Sequence, residues 1–327
     1  MALSAEDDGR VRGAPLQKVA IVGCGLIGQA WAVVFLRSGF RVALFDADHA
    51  TAERAWSGVV DRLKELAAHG LLNRSRIEEF AANLAVEGSL EAALEDAAYV
   101  QENGPEDLDI KSALTAELDR HASQDVPIGS STSGIPASQY SVDVPGRHRC
   151  LVVHPINPPH LVPAVEIVPS PWTSAGVTAR VSDLMKATHQ TPIHLDKEID
   201  GFVVNRLQGA LLSEAFRLLG QGVASAEDID KAVSDGLGLR WSIIGPFETI
   251  HLNAPGGVAQ YVQRYGPMYR QMFQHDIPSE DWSVALEDGL ERRLCARHPV
   301  SNLAQSQADR DSALMALLAH RLTPGNT

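Results

Sequence analysis

The stretch Val19-Ala-Ile-Val-Gly-Cys-Gly-Leu-Ile-Gly28 decides the fold of the N-terminal part of this chain. Its first four residues are apolar and predict a buried strand, and a helical pattern begins at Leu26. Gly23, Gly25 and Gly28 form a GxGxxG pattern at this junction. The first glycine permits a tight turn, the second lets the backbone approach a diphosphate, and the third lets the helix pack on the strand. Because the start of a helix also favours phosphate, the stretch predicts a dinucleotide-binding site.

The second apolar run, Phe40-Arg-Val-Ala-Leu-Phe-Asp46, selects the cofactor. A carboxylate at the end of the second strand accepts hydrogen bonds from the ribose hydroxyls of NAD and repels the 2′-phosphate of NADP. The residues that follow, Ala47, Asp48 and His49, include no arginine that could neutralise a phosphate. The sequence therefore predicts NAD as the cofactor. The alternative role for Asp46 is to cap the next helix, but that role suits Asp48 better. The predicted cofactor contacts in this region are Gly23, Gly25, Leu26, Ile27, Gly28 and Asp46.

The composition is that of a soluble globular protein: 45% of the 327 residues are hydrophobic and 21% are charged. No run approaches the ~20 apolar residues of a membrane span. The polar N-terminus lacks the apolar segment of a secretory signal, so residues 1–16 are predicted to be a disordered lead-in. The 3 cysteines match neither a disulfide framework nor a zinc site, which predicts no bound metal and a cytoplasmic location. A net charge of −13 argues against nucleic acid or an anionic membrane as a partner.

The chain divides into two patterns. Short apolar runs alternate with helical patterns over residues 17–198, which predicts a Rossmann-type α/β domain with a mostly parallel, doubly wound sheet. Only helical periodicity follows over residues 199–327, including a predicted helix at residues 281–293, so a C-terminal all-helical domain is expected. The segment Lys197-Glu-Ile-Asp-Gly201 is the predicted hinge.

Polar segments of the first domain form a candidate catalytic site. The turn Gly129-Ser-Ser-Thr-Ser-Gly134 and the loop His154-Pro-Ile-Asn-Pro-Pro159 each follow a strand, where doubly wound sheets place ligands. Glu166 lies in an apolar strand, where an unpaired carboxylate is costly, and His154 is its expected partner. Oxidation of a hydroxyl by NAD needs a base, and a histidine held by a buried carboxylate meets that need. Each of these residues also has an alternative interpretation. His154 could be a surface histidine, Glu166 could pair with a structural arginine, and the serine-rich turn could be a plain polar turn.

These segments resemble the 3-hydroxyacyl-CoA dehydrogenase superfamily. The resemblance rests on the glycine-rich strand, the Ser130-Ser-Thr-Ser133 turn, the His-Pro-x-Asn-Pro loop and Gly201-Phe-Val-Val-Asn-Arg-Leu207. Gly104-Pro-Glu-Asp-Leu108 and Ser234-Asp-Gly-Leu-Gly-Leu-Arg-Trp241 are similar to the lambda-crystallin branch, whose activity is that of an L-gulonate 3-dehydrogenase. The resemblance runs from about Lys18 to near Arg321.

The resemblance implies roles for individual residues. The family's catalytic histidine and its carboxylate partner correspond to His154 and Glu166. Its serine that touches both substrate and cofactor corresponds to Ser133, and its substrate-side asparagine corresponds to Asn205. Further predicted cofactor contacts are Glu106, Lys111 and Asn157.

From the residues alone, Glu106 is an acid at a helix start and Lys111 a solvated lysine; only the resemblance makes them NAD contacts. The resemblance also implies a homodimer formed through the helical domain and a cytoplasmic enzyme of the gulonate branch.

Three activities stay open at this point. A small hydroxy acid such as L-gulonate or L-carnitine needs one cation for its carboxylate, and Arg240 is the candidate, with a surface or dimer-interface arginine as the equal alternative. A 3-hydroxyacyl-CoA needs cations on the second helix, where only Arg54, Arg62 and Lys64 occur, spread apart. A crystallin-like structural protein that binds NAD without turnover is the alternative outside enzymes. The costly pairing of His154 with a buried acid argues against it.

Overall fold

The computed structural model describes residues 17–272, 296 and 299–322. The predicted lead-in over residues 1–16 and the predicted helix at 281–293 lie outside these residues. The chain divides into two compact units. The sheet unit contains the described residues 17–205 and 305–322, and the helical unit contains the described residues between them.

The sheet unit is built on one mixed sheet. Its strands are β1 (Lys18–Val22), β2 (Arg41–Phe45), β3 (Leu84–Val86), β4 (Ala97–Glu102), β5 (Ile128–Ser130), β6 (Cys150–Pro155), β7 (Ala164–Pro169) and β8 (Thr191–His194). Their order in the sheet is β3-β2-β1-β4-β5-β6-β7-β8. Every neighbouring pair is parallel except β6 and β7, which are antiparallel. The predicted mostly parallel, doubly wound sheet is therefore confirmed.

Helices account for most of the remaining described chain. They are α1 (Leu26–Arg37), α2 (His49–Ala68), α3 (Ile77–Ala82), α4 (Leu90–Leu94), α5 (Leu108–His121), α6 (Ala137–Tyr140), α7 (Ala175–Ala187), α8 (Val204–Gly220), α9 (Ala226–Lys231), α10 (Leu239–Trp241), α11 (Pro246–Leu252), α12 (Gly257–Met272) and α13 (Leu303–Leu322). A π-helix over Ala232–Gly238 joins α9 to α10. Neither β3 nor α4 was predicted from the sequence, because elements this short carry no periodic pattern.

The sheet unit has a core on each face of its sheet. Alternate residues of β1 divide between the faces: Val19 and Ile21 contribute to one core, Ala20 and Val22 to the other. The first core collects apolar side chains of α1, α2 and α7, and it includes Met315 of α13. The last described helix, α13, therefore shares a core with the first helix, α1, and the sequence pattern did not predict this.

The helical unit is built differently. Of its side chains that the structure describes, only that of Thr249 is buried. Large apolar side chains such as Ile243, Phe247 and Leu252 are exposed instead. Across the part of the chain that the structure describes, no helix has the length and apolar composition needed to cross a membrane.

Candidate active site

His154 and Glu166 face each other on neighbouring strands. The antiparallel register of β6 and β7 pairs the two residues directly, so their side chains lie on the same face of the sheet. His154 Nδ1 is 2.7 Å from Glu166 Oε2, and both side chains are buried. The expected pairing of these two residues is thus found, and it leaves Nε2 as the imidazole nitrogen not bonded to the carboxylate.

The second carboxylate oxygen of Glu166 binds the start of α8. Oε1 accepts hydrogen bonds from the backbone N–H groups of Val203 at 2.7 Å and Val204 at 3.0 Å. Burial alone raises the pKa of Glu166, but the hydrogen bonds from His154 and these two N–H groups outweigh it and hold the pKa below its ordinary value. Because the carboxylate stays ionised, it holds the proton of a neutral His154 on Nδ1.

Phe202 explains how the backbone reaches Glu166. Its φ of 52°, directly after Gly201 with φ of 74°, is a left-handed conformation that a residue with a bulky side chain rarely adopts. The Phe202 side chain is buried, and its ring centroid lies 5.5 Å from that of His154. The same short segment therefore packs against the imidazole and presents two N–H groups to its carboxylate partner. This function of Phe202 was not predicted from the sequence, since no local pattern indicates a positive φ there.

Glu106 organises the polar turn after β5. Its Oε1 accepts hydrogen bonds from Thr132 Oγ1 at 2.6 Å, from the Ser133 N–H at 3.0 Å and from the Gly134 N–H at 2.9 Å. Asn205, which lies inside α8, donates from Nδ2 to the backbone oxygen of Ser133 at 2.8 Å. The structure thus brings Glu106, Ser133 and Asn205 together, and their contacts with substrate and cofactor stay predictions.

Lys111 lies inside the sheet unit rather than in solvent. Its side chain is 1% exposed, so the interpretation as a solvated lysine is wrong. Lys111 Nζ donates to the two carboxylate oxygens of Glu102 at 3.2 and 3.1 Å, and lies 4.0 Å from Glu106 Oε2. Ser130 Oγ and the Gly104 N–H also donate to Glu102. A buried charge needs such partners. Glu102, at the end of β4, was not identified from the sequence as the partner of Lys111.

The glycine-rich turn has the form that its motif predicts. A Cβ at Gly23 would lie 2.7 Å from the backbone of Asn103, and one at Gly28 would meet the carbonyl oxygen of Gly23. At Gly25, nothing lies within 4 Å of the position that a Cβ would take. The outer two glycines are thus required by packing, whereas Gly25 borders open space, which fits the close approach of a diphosphate.

Asp46 follows β2 and lies against this turn. Its Oδ2 accepts a hydrogen bond from the Cys24 N–H at 2.8 Å, and its Oδ1 accepts one from the Asp48 N–H at 3.1 Å. Asp48, and not Asp46, caps α2 through the Ala50 N–H, as expected. Burial together with the charge of Asp46 raises the pKa of the Cys24 thiol to about 12, so this thiol stays protonated. The carboxylate, the turn and the start of α1 together fit NAD.

Two further predicted residues lie on exposed segments. Asn157 is exposed in the loop after β6, where it precedes Pro158 in a cis peptide bond. Arg240 is exposed on α10 of the helical unit, directly after the π-helix, and its charge acts on Tyr261 of the same unit. Segments of π-helix are frequent at functional sites, which keeps Arg240 a candidate for substrate binding.

Comparison with known families accounts for most of the chain. A family model for the NAD-binding domain of 3-hydroxyacyl-CoA dehydrogenase matches residues 18–199. A model for the C-terminal domain of 3-hydroxyacyl-CoA dehydrogenase matches residues 201–280. The residues after 280, which include α13, lie outside both matches.

Individual relatives match over nearly the full length. The chain is 40% identical over 309 residues to a lambda-crystallin homolog of Bos taurus, covering 93% of this chain and 96% of the relative. It is 38% identical over 306 residues to an L-carnitine dehydrogenase of Streptomyces coelicolor, covering 93% and 94% respectively. The crystal structure of 5-formyl-3-hydroxy-2-methylpyridine 4-carboxylic acid 5-dehydrogenase, an NAD+-dependent dismutase, is similar with a TM-score of 0.78 at 26% identity, covering 96% of this chain and 100% of that one.

Proposed function

The chain belongs to the 3-hydroxyacyl-CoA dehydrogenase family, and from that premise we propose that it oxidises the 3-hydroxyl of a small hydroxy acid, with L-gulonate as the first candidate substrate. It is an NAD-dependent oxidoreductase of that family. The observation that carries the proposal is the buried His154–Glu166 pair, whose carboxylate is also bound by the start of α8.

The pair can perform the acid–base step. Bound NAD supplies the hydride acceptor. His154 Nε2 takes the hydroxyl proton as the carbonyl forms, and Glu166 stabilises the resulting imidazolium through its hydrogen bond to Nδ1. The Val203 and Val204 N–H groups keep the carboxylate oriented throughout, because they bind the oxygen that does not face the imidazole. In the reverse direction the same Nε2 returns the proton to the carbonyl oxygen.

The cations of α2 support a small acid over an acyl-CoA. Arg54 Nη2 donates to Thr51 Oγ1 at 2.7 Å, and Lys64 Nζ donates to Asp61 at 2.9 Å. Arg62 Nη1 donates to a glutamine side chain of α1 at 2.7 Å. Arg62 is thus held by α1, and the exposed Arg54 and Lys64 lie apart on α2, so this helix lacks the clustered cations that the phosphates of CoA would need.

Two features of the helical unit complete the proposal. Arg240 would bind the substrate carboxylate, since a guanidinium can grip a carboxylate through two parallel hydrogen bonds. The exposed apolar side chains of this unit would pack against the same unit of a second copy, because single folded chains rarely expose so many large apolar groups. The assembly proposed is therefore a homodimer formed through the helical unit.

Initial rates with NAD against four substrates test the proposal: L-gulonate, L-carnitine, 3-hydroxybutyrate and 3-hydroxybutyryl-CoA. L-gulonate should give the highest kcat/KM, and NADP should substitute poorly for NAD. The His154→Ala variant provides the background rate. If 3-hydroxybutyryl-CoA gives the highest kcat/KM, the small-acid assignment is overturned. If L-carnitine gives the highest kcat/KM, it replaces L-gulonate as the proposed substrate. NAD binding without turnover of any of the four would favour the structural-protein alternative.

A further inference from the structure

Cys24, inside the glycine-rich turn, is held by hydrogen bonds on both sides of its backbone. Its N–H donates to Asp46 Oδ2 at 2.8 Å, as described above. Its carbonyl oxygen accepts a hydrogen bond from Gln29 Nε2, one turn along α1, at 3.0 Å. The peptide units before and after Cys24 are therefore both restrained by side chains rather than by the sheet alone.

The second of these restraints determines where the Gly25 N–H points. In a planar trans peptide, the carbonyl of one residue and the N–H of the next point in opposite directions. Because Gln29 holds the Cys24 carbonyl, it also sets the direction of the Gly25 N–H, at the position where open space borders the turn. An N–H group in this position is a donor for the cofactor diphosphate.

Gln29 is itself held by Arg62 of α2. Arg62 Nη1 donates to Gln29 Oε1 at 2.7 Å and to the Gly58 carbonyl oxygen at 3.1 Å. Since a guanidinium can only donate, it requires the amide oxygen of Gln29, which turns the amide nitrogen toward Cys24. A Cβ at Gly58 would lie 2.5 Å from Gln29 Oε1, so the glycine leaves room for this contact.

The C-terminal helix supports the same part of α2 from outside. Burial lowers the pKa of Arg62, and the carboxylate of Asp311 on α13 is among the charges that oppose this shift. Ser312 Oγ lies 3.0 Å from His69 Nε2 at the end of α2, and Met315 is buried in the shared core. These contacts come from a helix that lies beyond residue 280, where the family matches end.

We propose that Gln29 and Arg62 are positioning residues for the diphosphate of NAD, with α13 as their outer support. Their chain of contacts runs from Arg62 through Gln29 to the Cys24 carbonyl and so to the Gly25 N–H. The inference depends on NAD binding alone and not on which hydroxy acid is oxidised.

Calorimetric titration of the full-length protein with NAD+, ADP and adenosine tests this role. Gln29→Leu and Arg62→Met should each weaken the binding of NAD+ and ADP about fivefold, which corresponds to the net free energy of one hydrogen bond. The affinity for adenosine should not change, because adenosine lacks the diphosphate. Arg62→Lys should keep most of the affinity, since lysine can still donate to Gln29. Lys64→Met is the control for loss of a cation from α2 and should bind all three ligands normally.

A double variant separates a chain of contacts from two independent effects. Gln29→Leu combined with Arg62→Met should bind ADP no more weakly than Gln29→Leu alone, because Arg62 acts through Gln29. Asp311→Asn should weaken ADP about twofold, and Asp309→Asn on the same helix should have no effect. Unchanged ADP binding in Gln29→Leu and Arg62→Met, or an equal loss for adenosine, would overturn the proposal, as would additive losses in the double variant.

Discussion

The sheet unit and the helical unit treat apolar side chains in opposite ways. The sheet unit buries most of its apolar residues in a core on each face of one sheet, while the described helical unit buries the side chain of Thr249 alone. Phe247 of the helical unit is 81% exposed, which exceeds any other large apolar residue described in either unit. The sheet unit thus contains its own apolar cores and the acid–base pair, whereas the proposed homodimer would cover the exposed apolar side chains of the helical unit. Substitutions in the two units should therefore affect separate measurements.

The largest expected effect is confined to the sheet unit. His154→Ala should lower kcat by about 10²–10⁴-fold, the usual contribution of a general base. NAD affinity and oligomeric state should not change, because the substitution removes the proton acceptor and alters neither the glycine-rich turn nor the apolar side chains proposed for the dimer. Steady-state kinetics, NAD titration and sedimentation velocity measure the three quantities. Near-normal kcat would remove His154 from the mechanism.

The next effect is confined to the helical unit. Phe247→Ser should weaken self-association about 100-fold, since burying a phenylalanine is worth about 1.5 kcal/mol or more and a two-fold dimer buries two copies. Val142→Ser, at an exposed apolar position of the sheet unit, is the matched control and should leave association unchanged. Analytical ultracentrifugation over a dilution series gives the dimer dissociation constant of each variant. If Val142→Ser dissociates the protein and Phe247→Ser does not, the interface belongs to the sheet unit instead.

Arg240 tests whether the helical unit also contributes to substrate binding. Arg240→Lys should raise KM for the hydroxy acid about tenfold through loss of a paired hydrogen bond, with KM for NAD nearly unchanged. Arg264→Lys, another arginine of the helical unit, serves as the control. If Arg240→Lys and Arg240→Ala both leave the KM for the acid unaltered, the arginine is structural.

The smallest expected effect concerns pH. Because the folded pKa of Glu166 is lowered, its contribution to stability is complete above the ordinary glutamate pKa of about 4.3 and is lost as pH falls through the folded pKa. Urea unfolding between about pH 6 and pH 3 should therefore show a smaller loss of stability in Glu166→Gln than in the unmodified protein. Glu117→Gln, which removes an exposed ion pair with Arg120, is the control and should leave the pH dependence nearly unchanged. Equal curves for Glu166→Gln and the unmodified protein would contradict the assigned cause of the pKa shift.

Local patterns were sufficient to predict much of the sheet unit. The glycine spacing and the acid after β2 identify the NAD site, because each role depends on residues adjacent in sequence. The pairing of His154 with Glu166 was also predictable, since a lone acid in an apolar strand needs a partner.

Long-range contacts account for what the sequence did not predict. Lys111 can be buried because its Nζ donates hydrogen bonds to the carboxylate of Glu102, and nothing near Lys111 in the sequence specifies that partner. The positive φ of Phe202 is a response to packing against His154 and to hydrogen bonding at Glu166, which are distant in sequence. The position of α13 likewise depends on burial of Met315 in the core of the sheet unit and on the contact of Ser312 with His69 rather than on its own pattern.

The return of α13 to the sheet unit has a consequence for how each copy of the protein is made. Chains emerge from the ribosome N-terminus first, at about 5–20 residues per second, and domains generally fold as they emerge. The sheet unit cannot do so completely, because the helical unit, residues 206–304, is synthesised before Met315 becomes available to its core. For roughly 5–20 s of synthesis, the layer formed by α1 and α2 lacks its last helix. Each new chain thus exposes an apolar face until α13 has been synthesised, and a chaperone that binds apolar surface would protect this face during that interval.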